Sequence, residues 1–317
     1  MMESLETEFP YPSNVVNGRG IRPQADSDSV FLERIFDGLK EKMREDFHRF
    51  TFVVHQWAFG QIRGNKAIPL DPGSADRILI LTADEREVFP VEDFCSYKAV
   101  FRAYGNPAGG TSNVHPFPVG YLNAVGGADP VTFDNRRHPV FFSGYLNRNR
   151  VDLYKQFRKT LWLPRRNLRN RYTKELARRA VERFCPERSF ELEFPDALVS
   201  FTEWFGKGLA PDEYAKILSQ TKIALCPPGF ESSETIRHWE AMRLGCVVIS
   251  APLPPNRFYK GSPIIELQDW SELKPLLKDL LSHPDKLRQK HEETVAWWDR
   301  MCSEHAVADY MARVLEG

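Results

Sequence analysis

The stretch "CPPGFESSETIRHWEAMRLGCVVIS" (residues 226–250) carries the decisive pattern. The apolar run "KIAL" leads into it, and two prolines and a glycine then make a turn. Hydroxyls follow, then a segment of helical period, then a second apolar run. This is a strand–loop–helix–strand unit, the building block of a parallel α/β sheet. Ligands of such sheets sit beyond the carboxyl ends of the strands. The spacing predicts a helix over 233–244 with Ser232 or Ser233 as its N-cap, which leaves backbone N–H groups free at a positive dipole end suited to phosphate. Ser233, Arg237 and Glu240 stand at i, i+4 and i+7 and so share one helix face. They offer a hydroxyl, a guanidinium and a carboxylate, a set that suits a diphosphate and a ribose diol. Ile236, Trp239 and Met242 lie opposite and can pack on the sheet. The plainer alternative is a serine cap with Arg237 and Glu240 as a surface pair.

Outward from this unit the same alternation repeats. A helix is predicted over 29–47, with Asp28 as its cap, because Val30, Phe31, Ile35, Leu39 and Met43 recur at helical spacing. "FTFVVHQW" (50–57), "RILILTADE" (77–85) and "YKAVFRAYGNP" (97–107) are apolar runs that end in polar groups. "VHPFPVGYL" (114–122) holds two prolines and reads as extended but not central. A second series begins with "HPVFFSGYLNRNRVDLYKQF" (138–157). It continues with helices over 173–184 and 212–220, strands over 222–226 and 246–250, and a strand at "PIIEL" (263–267). Helices over 271–282 and about 285–315 close the chain. Runs rich in Val, Ile, Leu and Phe suit parallel sheets covered on both faces. Two such series imply two α/β domains, 1–137 and 138–317, with the boundary near Asn135–Pro139 and an extended polar arm over residues 1–27.

Composition narrows the function classes. The 317 residues include 43 Lys+Arg and 43 Asp+Glu, so the balance of charge favours neither a nucleic-acid binder nor an acidic solvating protein. The five cysteines, at 95, 185, 226, 246 and 302, form no C-x-x-C pair and read as reduced, mostly buried thiols. There is no apolar run long enough for a membrane span and no secretory pattern at the start. The expectation is a soluble, cytoplasmic chain; a chain trimmed of an anchor would read the same. Between Arg158 and Arg183 there are ten Lys/Arg and two Glu, a local excess that reads as a solvated face and leaves peripheral membrane contact open.

The segment "YAKILSQTKIALCPPGFESSETIRHWEAMRLGCVVIS" resembles the donor-binding part of exostosin-like glycosyltransferases. Their pattern is a Cys-Pro-x-Gly turn, then Thr-x-Arg-x-Trp-Glu-Ala, then Gly-Cys before a strand. It stands here as Cys226, Pro227 and Gly229, then Thr235, Arg237, Trp239, Glu240 and Ala241, then Gly245 and Cys246. Pro228 stands where the pattern often has Arg. "IIELQDWSEL" (264–273) extends the likeness, which covers about residues 212–275. The resemblance implies a GT-B fold, with two Rossmann-like domains facing a cleft and a C-terminal helix crossing back to the first. It implies transfer of a sugar from a nucleoside-diphosphate donor, UDP above all, to a hydroxyl of a glycan, glycolipid or glycoprotein. Neither a cofactor nor a metal is needed, and inversion is favoured. Ser232, Ser233 and Arg237 would hold the diphosphate, with Thr235 and Gly229 in the same motif, and Glu240 the ribose. Two other readings stay open: a nucleotide-sugar 2-epimerase on the same fold, and a binding protein that kept the scaffold.

Further candidates follow from that reaction. In "SGYLNRNR" (143–150), Gly144 permits a tight turn, and Arg148 and Arg150 could clamp phosphate or simply be surface arginines. An inverting reaction needs a base on the first domain. Asp84, Glu85 and His55 end apolar runs there, and His115 lies in the proline-rich segment. Arg102 could reach the donor or pair with a carboxylate. "DSD" (26–28) mimics a metal motif but precedes a helix, so capping is the reading.

Overall fold

Alternation of side chains divides the central strands of each sheet between two cores. The computed structural model describes residues 11–18, 29–55, 70–82, 84–85, 89, 91–104, 112–157, 193–202 and 207–317. The described strands form two five-stranded sheets. The first holds β1 (Val15–Asn17), β2 (Thr51–His55), β3 (Arg77–Leu81), β4 (Ala99–Arg102) and β5 (Val114–Pro116). These lie in chain order and every pairing is parallel. The second holds β6 (His138–Tyr145), β7 (Leu198–Thr202), β8 (Thr221–Cys226), β9 (Val247–Ser250) and β10 (Ile265–Glu266). It too is parallel, but its order is β10-β9-β8-β6-β7. The chain leaves β6 for β7 on one side and returns to β8 on the other, so a switch point lies between β6 and β8.

Phe52, Val54, Ile78, Ile80 and Phe101 of the first sheet face one continuous core with Phe141, Ala224 and Val248 of the second. Val53, Leu79 and Val100 face a separate core on the outer side of the first sheet. Val140, Phe142, Ile223, Leu225, Val247 and Ile249 do the same for the second, under Leu273, Leu277 and Leu280.

The helices are α1 (Ser29–Met43), α2 (Asn123–Gly126), α3 (Val151–Phe157), α4 (Pro211–Ser219), α5 (Ile236–Arg243), α6 (Leu273–Ser282), α7 (Pro284–Trp297) and α8 (Glu304–Glu316). α8 lies along α1 of the first domain. Gly38 makes the close approach possible, because a Cβ there would stand 3.0 Å from that of Ala308. Lys42–Asp309 at 3.1 Å and Arg34–Glu304 at 3.2 Å flank the contact, and Glu304 also accepts from the Tyr121 hydroxyl. This is the two-domain α/β fold with a returning C-terminal helix that the GT-B resemblance implies.

Several expectations need correction. The helix over about 285–315 is broken by a π-helical turn, Trp298–Cys302, which redirects α7 into α8. The polar arm contains β1, whose pairing with β2 is too short to show a period. β7 was not foreseen. The helix over 29–47 stops at Met43 and continues as a 3-10 turn, Arg44–Arg49. Asp28, the "DSD" motif, the helix over 173–184 and the basic stretch Arg158–Arg183 lie outside the described residues. Of the cysteines, Cys226, Cys246 and Cys302 are buried free thiols and Cys95 is exposed; Cys185 is not described. Among the described residues no helix is long and apolar enough to cross a membrane.

Candidate functional site

The loops after β6 and β8 meet at the switch point of the second sheet, and each fixes the other. Asn147 caps a 3-10 turn, its carboxamide oxygen accepting from the Asn149 N–H at 2.9 Å. Its Nδ2 donates to the Gly229 carbonyl at 3.1 Å. Asn149 Nδ2 donates to the carbonyls of Gly229 and Phe230 at 3.0 and 2.9 Å, and Arg150 Nε to that of Pro228 at 2.8 Å. A peptide unit is planar, so tying the carbonyl to one side turns the N–H to the other. The Gly229 and Phe230 carbonyls are held in this way, which turns the N–H groups of Phe230 and Glu231 to the side where that of Ser232 also points, a backbone nest suited to an oxyanion.

That nest is filled from the first domain. Glu85, in the turn after β3, places one carboxylate oxygen 3.1, 3.0 and 3.0 Å from those three nitrogens. Gly229 leaves room for it; a Cβ there would stand 2.6 Å from the Glu85 oxygen.

Two guanidinium groups lie beneath. Arg237 donates from Nε to the Ser143 carbonyl at 3.2 Å, and both Arg237 and Arg150 sit 5.8 Å from the centre of the Phe142 ring. Their ends converge under Gly144, where a Cβ would stand 2.7 Å from Arg237 Nη2 and 3.1 Å from Arg150 Nη1. Burial and the neighbouring Arg237 charge push the Arg150 guanidinium down to about 9. Two like charges side by side, Arg150 buried and Arg237 half-buried, favour an anion between or above them.

The helix beyond the nest differs from its sequence reading. α5 starts later than 233, and its N-cap is Thr235, so neither Ser232 nor Ser233 caps it. Ser232 instead accepts the Glu234 N–H on its hydroxyl at 3.1 Å. Ser233 lies on non-helical backbone, which removes it from the helix face shared by Arg237 and Glu240. Thr235 prevails because His238, at the third helical position, accepts its N–H at 3.1 Å in the manner of a capping box. With Nδ1 accepting, Nε2 carries the proton and donates to Ser250 at 2.7 Å, and Ser250 donates to the Cys226 carbonyl at 3.1 Å. Burial pushes His238 down to about 4, so it stays neutral. The chain ties the helix start to the ends of β8 and β9. Gly245 closes the helix with a Schellman motif: its φ is 70°, its N–H reaches the Met242 carbonyl at 3.0 Å, and the Cys246 N–H reaches that of Ala241 at 2.8 Å.

Glu240 is buried and accepts from the Tyr214 hydroxyl at 2.9 Å, so it is not part of a surface pair. Burial raises its pKa, against the pull of Arg237. Glu234, which sequence reasoning passed over, is 1% exposed and accepts from the Tyr259 hydroxyl at 2.6 Å. Burial pushes its carboxyl up to about 7. An acidic residue just before a helix reads as a dipole partner; its burial depends on Tyr259 and Trp239, which no local pattern brings together.

The other first-domain candidates diverge. Asp84 is buried in an ion pair with Arg102 at 2.6 Å, so Arg102 takes the carboxylate-pairing role. His55 ends β2 fully buried, 5.2 Å from the Phe89 ring centre, and burial pushes it down to about 4. His115 packs 5.6 Å from the Phe101 ring centre, its pKa lowered by burial. Arg148 is an exposed partner of Glu231 at 3.2 Å, while Arg150 is buried and committed to the carbonyls of Pro228 and Tyr145, so the two do not form one clamp. Among the described residues no group of three His, Cys, Asp or Glu side chains is placed to hold a metal ion.

A family model described as glycosyl transferase-like matches residues 165–316, just under half of the chain. No curated protein matches. Among solved structures, the C-terminal domain of the glycosyl transferase group 1 family protein LpcC from Francisella tularensis is similar at 13% identity and a TM-score of 0.35, covering 56% of this chain and 97% of that one. AviGT4, a glycosyltransferase involved in avilamycin A biosynthesis, is similar at 11% identity and a TM-score of 0.43, covering 95% and 96%. Anabaena HepE in complex with UDP is similar at 10% identity and a TM-score of 0.42, covering 90% and 76%. The fold reading rests on the two parallel sheets themselves.

Proposed function

We propose that the protein is a glycosyltransferase of the exostosin-like kind that takes a nucleoside-diphosphate sugar, UDP-linked, and transfers the sugar with inversion to a glycan hydroxyl. The observation that carries this is the nest of three N–H groups at the switch point of the second sheet, with Arg237 and Arg150 beneath it. The glycosyl transferase-like family match, which spans this loop, supports the same reading.

The chemistry asks for such a place. As the acceptor oxygen bonds to the anomeric carbon, the bond from that carbon to the diphosphate oxygen breaks and negative charge grows on the leaving group. Donors already fixed toward that charge lower the barrier without reorganisation. Main-chain N–H groups and guanidiniums supply them here, with no protein-bound metal in the proposal. Glu240 holds the ribose diol, with Tyr214 orienting its carboxylate. The acceptor proton passes to a first-domain carboxylate, and Glu85 is the candidate whose side chain reaches the second domain.

Calorimetric titration with a panel of nucleoside diphosphates tests the reading. One diphosphate binds the native protein, and Arg237→Ala weakens it at least tenfold, about 1.4 kcal/mol. Binding of none of them overturns the reading. Turnover of the bound sugar nucleotide without an acceptor would point to the epimerase instead.

A further inference from the structure

Glu85 fills the place that the donor-site reading assigns to phosphate. Its single oxygen takes three N–H groups at 3.0–3.1 Å, as a phosphate oxygen would. Two of those groups cannot turn away, because Asn147 and Asn149 hold the Gly229 and Phe230 carbonyls behind the Phe230 and Glu231 N–H groups. We propose that Glu85 is a resident plug of the phosphate site, which holds the nest while no donor is bound and is displaced when a donor phosphate takes the three N–H groups over.

The inference rests on the donor-site reading and adds a cost of entry to it. A ligand that must displace a carboxylate binds more weakly than the bare nest allows, by the fraction of time the nest is open. The plug also joins the domains, since Glu85 belongs to the first and the nest to the second. Donor binding therefore exchanges an interdomain bond for a ligand bond at one set of atoms. A second interdomain contact shows the contrast. Arg243 of α5 spreads three bonds of 2.7–2.9 Å over the carbonyls of Val125, Gly126 and Ala128 at the end of α2. No incoming anion can compete for those carbonyls. The Glu85 contact uses donors that a phosphate would also use, and it comes from a half-buried turn rather than from a helix.

Pyrophosphate is the probe, titrated into the native protein, Glu85→Ala and Glu85→Gln. Hydrogen exchange of the 230–232 amides is followed in parallel. The expected result is at least fivefold tighter pyrophosphate binding in Glu85→Ala, a smaller gain in Glu85→Gln, and amides that exchange faster without pyrophosphate and slow again with it. If Glu85→Ala does not fold, Glu85→Gln alone decides by the same readouts. Unchanged or weaker pyrophosphate binding in the folded variants overturns the plug and makes Glu85 a plain strut between domains. Tighter pyrophosphate with no nucleoside diphosphate bound keeps the plug and removes the donor reading. A nucleoside diphosphate that binds equally to all three proteins keeps the donor reading and removes the plug.

Discussion

The two sheets hold five parallel strands each, yet their strand ends do different things. In the first, spatial order follows chain order, so successive loops turn the same way and lie against their neighbours. Its polar strand ends are consumed locally: Arg102 closes on Asp84 at 2.6 Å, and His55 is buried against Phe89. In the second, the reversal between β6 and β8 leaves the loops after these two strands facing each other at the switch point, tied by side-chain bonds to main-chain carbonyls. There Asn147, Asn149, Gly229 and Arg237 face one another. Residue types alone do not make the difference, since both sheets carry charged groups at strand ends. The order in which the chain visits the strands decides which polar groups are paired within one sheet's own loops and which are gathered at a switch point.

The comparison breaks if substitutions in the two sheets have the same phenotype. The largest effect is expected at Arg102→Ala, which leaves the buried Asp84 carboxylate without its guanidinium. It should cost about 3–5 kcal/mol in denaturant unfolding. The folded fraction should bind nucleoside diphosphate as the native protein does; loss of binding at equal stability would place Arg102 in the site after all.

Glu234→Gln comes next and depends on pH. The buried carboxyl titrates at about 7 in the fold, above the ordinary value of 4.5, so the folded state holds the proton more tightly than the unfolded chain. This contribution is fully present below about pH 4.5 and is lost as pH rises through 7. The variant should match the native protein near pH 5 and exceed it by about 2–3 kcal/mol near pH 8. Thermal melts of both across that range check the crossing; parallel curves would contradict it.

Asn147→Ala combined with Asn149→Ala sharpens the comparison from the other side. The nest loses the groups that orient it, so nucleoside-diphosphate affinity should fall about tenfold, about 1.4 kcal/mol. The melting temperature should move much less than in Arg102→Ala. The smallest effect is expected at Arg148→Ala. Its exposed pair with Glu231 is worth about 0–1 kcal/mol, and stability should hold within that range.

The β8–α5–β9 unit could be read from sequence because its signals are local: an apolar run, a Pro-Gly turn, a helical period and a second apolar run. Arg237 and Gly229 were legible for the same reason. The N-cap was not, because Ser232, Ser233 and Thr235 are all good caps and the choice rests on His238 reaching Ser250 across the sheet. Glu240 had the period of a surface residue, but Tyr214 of α4 covers it. Asn147 and Asn149 read as ordinary turn residues, and their partners are about eighty positions away. Glu85 was noticed as a strand-end acid, but a sequence carries no sign that its carboxylate meets main-chain donors of the other domain. β1 and β10 pair over three and two residues, too few to show alternation.

The return of α8 also bears on how the molecule is made. The core between α1 and the first sheet includes Val307, Ala308, Met311 and Leu315, and the Phe101 ring packs against Tyr310 at 6.0 Å. The first sheet is thus missing a wall until α8, far later in the chain, emerges from the ribosome. Domains fold during synthesis when their contacts are local, and long-separated contacts delay them. Until α8 is made, the first sheet would carry an uncovered apolar face, a natural client for a chaperone.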